Sequence, residues 1–374
     1  MTEPVTYASA GVDIHAGDRA VELMKAAVAK THGSSVIGGV GGFAGLVDVS
    51  ALKDYERPLL ASSTDGVGTK IAIAQALDIH HTIGKDLVAM VVDDIVVSGA
   101  APLAMTDYIA TGKVIPERIA DIVRGIAEGC QIARTPLVGG ETAEHPGVMA
   151  EDDYDVAGAA VGVVDAHRML GPDRVRSGDA IIGMDASGLH SNGFSLVRAV
   201  IAAKDLSLEQ HIEEFGRTLG EELLEPTRIY TGDMLTLIGV LGEERLHALS
   251  HITGGGLAAN IARVIPGELA VRIDRGAWQP GPVFTAVQQW GSVPLLDLEA
   301  TLNMGIGMVA AVSSDSADAA IAELASLGLG ARVIGEVMDR DALPETSGTD
   351  DAITQGAKGV DGGAVLMAGS YAGA

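Results

Sequence analysis

Three stretches of this chain gather the residue types that handle phosphate and a hard metal ion. The first is Ser62-Ser63-Thr64-Asp65-Gly66-Val67-Gly68-Thr69-Lys70. It offers hydroxyls, a carboxylate at a strand end, two glycines that free backbone N–H groups, and a lysine one step into a helix. A metal-bound phosphate requires those parts: an oxygen ligand for Mg²⁺, N–H donors and a positive charge. The same residues also read as a plain strand-to-helix turn with Asp65 as N-cap. The second stretch, residues 83–97, is apolar except for Asp86, Asp93 and Asp94. Asp86 and Asp93, seven apart, share a helix face, and Asp94 lies about 100° round. Mg²⁺ is typically held by one or two carboxylates plus substrate phosphates, which suits so sparse a set. Solvated surface acids are the alternative, and the apolar surroundings argue against it more for Asp93 or Asp94 than for Asp86. The third stretch is Gly38-Gly39-Val40-Gly41-Gly42-Phe43-Ala44-Gly45, either a backbone nest for phosphate or a hairpin with no ligand.

Four further clusters set polar groups beside glycines: residues 107–113, 139–144 (with Glu141), 188–193 (with His190, Ser191 and Asn192) and 251–256 (with His251). The last two precede helical runs, whose N-termini favour anions. Singly, such histidines are more often structural hydrogen bonders than catalysts, and no G-x-S-x-G surrounds Ser191. Other nucleotide signatures are missing. There is no G-x-x-x-x-G-K-[ST], and the G-x-G-x-x-A of Gly39, Gly41 and Ala44 leads into strand-like LVDV instead of a helix.

These residues are carried by alternating helical and strand patterns. Residues 16–32 read as a helix, 46–49 and 59–63 as strands, 69–77 as a helix, and 83–97 as a helix apolar all round and therefore buried. A strand at 103–109, a helix at 117–133, a short strand at 137–138 and a run at 156–164 complete a first half. LGPDRVRSGD, residues 170–179, concentrates turn formers and charge and is the candidate boundary. The second half predicts strands at 180–184, 269–273, 307–312 and 332–337 and helices at 194–204, 227–241, 257–264 and 316–327, ending in a βαβ unit. Residues 341–374, rich in Gly, Ser, Thr and Ala, read as a mostly disordered tail. The LPETSG within it resembles a sorting signal only superficially.

The length of 374 residues predicts two domains: 1–172 and 173–340, followed by the tail. With 25 Lys+Arg against 50 Asp+Glu, the net charge is -25, which argues against nucleic acid and anionic membrane as partners. The single cysteine, Cys130, rules out a disulfide framework or a cysteine-based cluster within one chain and points to a reducing compartment. Residues 1–10 lack a basic and apolar leader pattern, so a cytoplasmic location is the expectation. Glycine numbers 49, about twice average usage, which predicts several backbone-built binding loops.

In this order, the blocks AGVDI, GGVGGF, TDGVGTK, IGKDLVAM, DYIATGK, VGGETAEHPG, YDVAGAAVG, HSNGFSLVR, LEPTRIY and HITGGG resemble the phosphoribosylformylglycinamidine cyclo-ligase family over residues 7–338. The resemblance implies an α+β fold of two α/β domains. The N-terminal domain would contribute strands to a β-barrel shared across a homodimer, and the C-terminal domain would be of split βαβ type. It implies ATP-dependent ring closure of formylglycinamidine ribonucleotide, by way of a phosphorylated amide, with ATP and Mg²⁺ required. Carried over by motif, Asp65 and Asp94 become metal ligands. Gly38, Gly39, Gly41, Gly42, Thr64, Gly66, Gly68, Thr69, Lys70, Gly140 and Glu141 surround ATP. His190, Ser191, Asn192, Gly193, Gly254 and Gly255 lie near the ribonucleotide, with His190, Lys70 and Asp65 as the catalytic set.

Two positions depart from the family pattern: Asp93 stands where Asn is usual, leaving metal stoichiometry open, and Lys85 where a neutral or apolar residue is usual. Sister families, among them thiamine monophosphate kinase, selenophosphate synthetase and a hydrogenase maturation factor, share the fold. Selenophosphate synthetase is disfavoured because Cys130 falls inside a predicted helix. A non-catalytic acidic Ca²⁺- or partner-binding protein is the alternative of another class, and the missing D-x-[DN]-x-[DN]-G spacing counts against it.

Overall fold

A computed structural model describes residues 13–39, 41–344, 346, 350–356 and 360–373. The leader reading of residues 1–10, the start of the AGVDI block and half of LPETSG lie outside them.

The first half is a sheet covered by helices on one face. Four strands lie in the order Pro58–Gly66, Tyr154–Asp165, Ala101–Thr111, Leu137–Glu144. The helix His81–Val96 packs on the sheet, Pro116–Ile132 packs on that helix, and Ile14–Ala29 packs on Pro116–Ile132. Local chemistry sets the helix starts. The Asp13 carboxylate accepts from the N–H groups of His15 and Ala16, an N-cap, and Pro116 occupies the first turn where its missing N–H costs nothing. The strand Pro58–Gly66 alternates exposure along its length, as a half-buried strand must. It runs further than its apolar residues indicate, through Asp65, because Tyr154–Asp165 pairs with it along its whole length, Asp65 opposite Gly158.

The second half is built on seven strands in the order Leu246–His251, Ile306–Val312, Ala180–Asp185, Ala331–Asp339, Leu269–Asp274, Ala364–Ala368, Ala352–Gln355. Ile306–Val312 and Ala331–Asp339, joined by the helix Ala317–Ser326, both pair antiparallel to Ala180–Asp185, which lies between them. The βαβ unit is therefore split by an inserted strand. Two helices not predicted by periodicity, Pro282–Gly291 and Leu295–Glu299, follow the strand Leu269–Asp274.

The expectation of a disordered tail is corrected. Ala364–Ala368 is buried throughout and pairs parallel to Leu269–Asp274, with Ala352–Gln355 antiparallel on its outer side. Composition misleads here because AVLMA carries an ordinary core strand inside a Gly- and Ser-rich frame. Its order comes from the sheet edge it joins, a tertiary contact that local pattern cannot reveal.

Candidate active site

The strand Pro58–Gly66 ends in a turn, Gly68–Lys70, that opens the helix Ile71–Leu77. This turn faces the loop before the helix Phe194–Ala203. A cavity of about 400 Å³ between them is lined by Asp65, Gly66, Val67, Gly68, Met90, Asp155, Val156, Ala157, Ser191 and Asn192. A second, of about 430 Å³, is lined by Ser62, Ser63, Thr64, Asp94, His251, Asn260 and Arg263 among others. Residues from both halves of the chain line each cavity, and the consecutive strand residues Thr64 and Asp65 each line one of them.

The acids and His251 form the electrostatic centre. His251 donates from Nδ1 to Asp94 Oδ1 at 2.9 Å, while its Nε2 is buried without a partner among the described residues. Burial alone would lower the His251 pKa. The hydrogen bond to Asp94 and the charges of Asp93, Asp94 and Asp65 outweigh burial and raise it. Asp65 accepts from the Gly66 N–H at 2.7 Å. Its pKa is raised first by burial, then by Asp94, against the pull of that N–H and of His251. No group of three or more His, Cys, Asp or Glu side chains among the described residues could hold a metal ion by itself. Two carboxylates at a cleft edge fit an ion that takes its remaining oxygens from phosphate and water, the habit of Mg²⁺.

The acidic helix differs from its sequence reading in one respect. Asp86 and Asp93 are fully buried, while Asp94 is exposed, so Asp86, for which the sequence favours a solvated position most, is among the deepest. Asp93 points away from the cavities. Its carboxylate accepts from Tyr230 N–H, Thr231 N–H and Thr231 Oγ1 at 2.6 to 3.1 Å, capping the helix Thr231–Leu241 from another element. Burial pushes its pKa up to about 6, against the opposing effects of His251 and these donors.

Two of the three residues placed in the catalytic set stand elsewhere. Lys70 is completely buried. Its ammonium donates to Asp86 Oδ1 at 2.9 Å, His190 O at 3.2 Å and Glu225 O at 2.7 Å, which uses all three of its protons. It ties the acidic helix to the second half of the chain and has no donor left for a phosphate. His190 is buried and lines neither cavity, with Nε2 accepting from Ser187 N–H at 3.2 Å. Burial, then the charges of His251, Lys70 and Arg228, hold its pKa well below the usual imidazole range, and its Nδ1 is buried without a partner among the described residues. Both corrections have one cause: a motif states residue types in order, while the side chain's direction depends on elements distant in sequence.

Ser191 and Asn192 do line the cavity. Ser191 donates to Val67 O at 3.3 Å, and Thr69 Oγ1 lies 3.2 Å from Ser195 Oγ, so the two loops are already joined. Gly193 and Gly255 stand immediately before helices, and Gly254 approaches Asn192. The loop of Gly38, Gly39, Gly41 and Gly42 and the strand residues Gly140 and Glu141 line neither cavity. At Gly140 packing explains the glycine: a Cβ there would stand 2.1 Å from Asp107 Oδ1. Arg263, Asn260 and Asp155 were not found by sequence reasoning. Asp155 stands inside the YDVAGAAVG block, but neither Arg263 nor Asn260 falls in a glycine-rich block, and only the fold brings them to the cleft. Lys85 pairs with Glu128 at 2.9 Å, which accounts for a cation on that face.

Family models for the AIR synthase related protein match in two parts, the N-terminal domain over residues 44–164 and the C-terminal domain over 176–344. A phosphoribosylformylglycinamidine cyclo-ligase of Alkaliphilus oremlandii is 48% identical over 336 residues, 90% of this chain and 97% of that protein. The chain belongs to the phosphoribosylformylglycinamidine cyclo-ligase family. Two solved structures share the fold at 19% identity. Thiamine-monophosphate kinase from Stenotrophomonas maltophilia K279a has a TM-score of 0.65 and covers 95% of this chain and 97% of its own. The hydrogenase maturation protein HypE in complex with ATP has a TM-score of 0.61 and covers 96% of each chain. The fold is thus α+β in two parts, as expected. No helix among the described residues is long and apolar enough to cross a membrane.

Proposed function

We infer that this protein closes the imidazole ring of formylglycinamidine ribonucleotide at the expense of ATP, giving aminoimidazole ribonucleotide, ADP and phosphate. The observation that carries the reading is 48% identity to a cyclo-ligase over 90% of the chain, combined with a cleft that holds phosphate-handling residues. The γ-phosphoryl group of ATP passes to the formamide oxygen. The substrate's amidine nitrogen then attacks that carbon, and phosphate leaves with the oxygen. Phosphoryl transfer asks mainly for positioning and charge neutralisation and needs no covalent nucleophile from the protein.

In this reading Asp65 and Asp94 hold Mg²⁺, which when bound supplies neutralisation of the nucleotide's phosphate charge. The N–H groups of Gly68 and Thr69 face the phosphates, the Gly66 N–H holds the Asp65 carboxylate, and His251 fixes the Asp94 carboxylate. Ser191, Asn192, Gly193, Gly254 and Gly255 receive the ribonucleotide, and Arg263 adds a cation to the cleft. The glycine loop packs beside the strand of Gly140 and Glu141, Gly45 against Val138, and the two serve together as a cover for the nucleotide. The domain division at 172/173, a cytosolic setting and a homodimer belong to the same reading. The dimer is supported by the uncovered face of the four-stranded sheet, where Leu60 and Tyr108 are exposed at 69% and 42%.

The test is ADP release from ATP and Mg²⁺. Strict dependence on formylglycinamidine ribonucleotide, with the aminoimidazole as product, supports the reading, and Asp65→Asn should lower kcat by about a hundredfold. ADP release with some other acceptor alone would move the protein to a sister activity.

A further inference from the structure

The mechanism leaves unused the most deeply buried cation of the second half, Arg275. Its guanidinium is fully buried and all five of its N–H groups are engaged. Nε and Nη2 grip Glu299 at 2.6 and 2.7 Å. The other three reach carbonyls of the C-terminal segment: Met367 at 3.0 Å, Gly369 at 3.2 Å and Asp350 at 2.9 Å. From the same segment Tyr371 donates its hydroxyl to Glu299 Oε1 at 2.6 Å. Its ring packs edge-on against Trp278, centroids 5.2 Å apart.

Glu299 ends the helix Leu295–Glu299, and the turn after it touches both loops assigned to the ribonucleotide. The Glu299 carbonyl presses on Gly256, where a Cβ would stand 1.7 Å from its oxygen. Leu302 and Thr301 pack on Gly193 in the same way, at 2.3 and 3.1 Å from such a Cβ. Asn303 donates to Gly188 O at 3.0 Å, and Trp278 Nε1 donates to Met304 O at 2.9 Å. The turn is thus held from one side by the C-terminal segment and braces residues 188–193 and 254–256 on the other.

We propose that the C-terminal segment, through its residues 350–356 and 360–371, is a positioning element of the active site: by way of Tyr371, Arg275 and Glu299 it sets the two loops that receive the ribonucleotide. Tyr371 is a positioning residue that touches no substrate. The inference rests on the loop assignment above for the substrate's identity, but not for the mechanical link.

The experiment compares the full-length protein with Tyr371→Phe, which keeps the ring on Trp278 and removes only the hydroxyl. Hydrogen exchange is read without ligand at residues 188–193 and 254–262, and KM is measured separately for each substrate. Losing one hydrogen bond to a buried carboxylate should speed exchange at both loops and raise the KM for formylglycinamidine ribonucleotide about tenfold. The KM for ATP should stay within about twofold, the scatter of an unperturbed site. Arg275→Lys, which cannot form the paired grip, should show the same split more strongly. Unchanged exchange at both loops in Tyr371→Phe would overturn the proposal. Faster exchange with a shift in the ATP KM instead supports the link and removes the ribonucleotide assignment of the loops.

Discussion

At the scale of single residues, Asp93 shows how a family departure can be structural. Its carboxyl titrates near 6 in the folded chain against an ordinary value of 3.8, so between those values the folded state binds more protons than the unfolded. Stability contributed by this group therefore rises as pH falls through 6 and levels off below 3.8. Asn at this position keeps an acceptor for Tyr230 and Thr231 without the buried charge. Asp93→Asn should leave turnover within about twofold and be more stable than the parent at pH 7. Thermal melts should show that advantage shrinking by on the order of 2 kcal/mol between pH 7 and pH 4. A constant difference across that range would assign Asp93 a different protonation in the fold. The sequence carried the types of the site residues well: Asp65, Asp94, Ser191 and Asn192 all reach the cleft from their motifs. It could not carry direction, and Asp86, Lys70 and His190 turn inward for reasons that lie more than a hundred residues away in Thr227, Glu225 and Lys70's own reach to His190 O.

Between elements, Lys70 is the knot. One ammonium joins the end of the phosphate turn to the acidic helix, the loop of His190 and the loop of Glu225, with Asp86 also accepting from Thr227 N–H and Oγ1 at 2.8 and 2.6 Å. Removing one member of such a buried pair leaves an uncompensated charge. Lys70→Met should cost about 3–5 kcal/mol in denaturant unfolding, while the folded fraction keeps its ATP KM within about threefold. A stable variant with a greatly raised ATP KM would return Lys70 to the phosphates. Long periodic elements were legible in the sequence because their apolar spacing is local: the helix His81–Val96 and a terminal βαβ unit were both foreseen, while the splitting of that unit by Ala180–Asp185 was implied only by the family resemblance. Ala364–Ala368 was not, since five apolar residues among glycines carry no period of their own and become a strand only beside Leu269–Asp274.

For the whole molecule, the net charge of -25 repels copies of the chain, yet one face of the four-stranded sheet leaves Leu60 and Tyr108 exposed. If that face closes a barrel between two copies, mass measurement in solution should give about twice 38.2 kDa at micromolar concentration. Leu60→Lys should shift the population to monomer, since it places a charge where apolar burial drives association. A parent protein that is monomeric throughout would remove the shared barrel. Arg275 has a consequence during synthesis. Its carbonyl partner Met367 lies 92 residues further along the chain, so at 5–20 residues per second the ribosome delivers it on the order of 5 to 20 seconds later. Until then the guanidinium has only Glu299 and the Asp350 carbonyl as partners, and the seven-stranded sheet lacks its last two strands. The second half of the protein therefore completes its fold only once the final strand has left the exit tunnel, and nascent chains stalled before that point are the ones a chaperone should find.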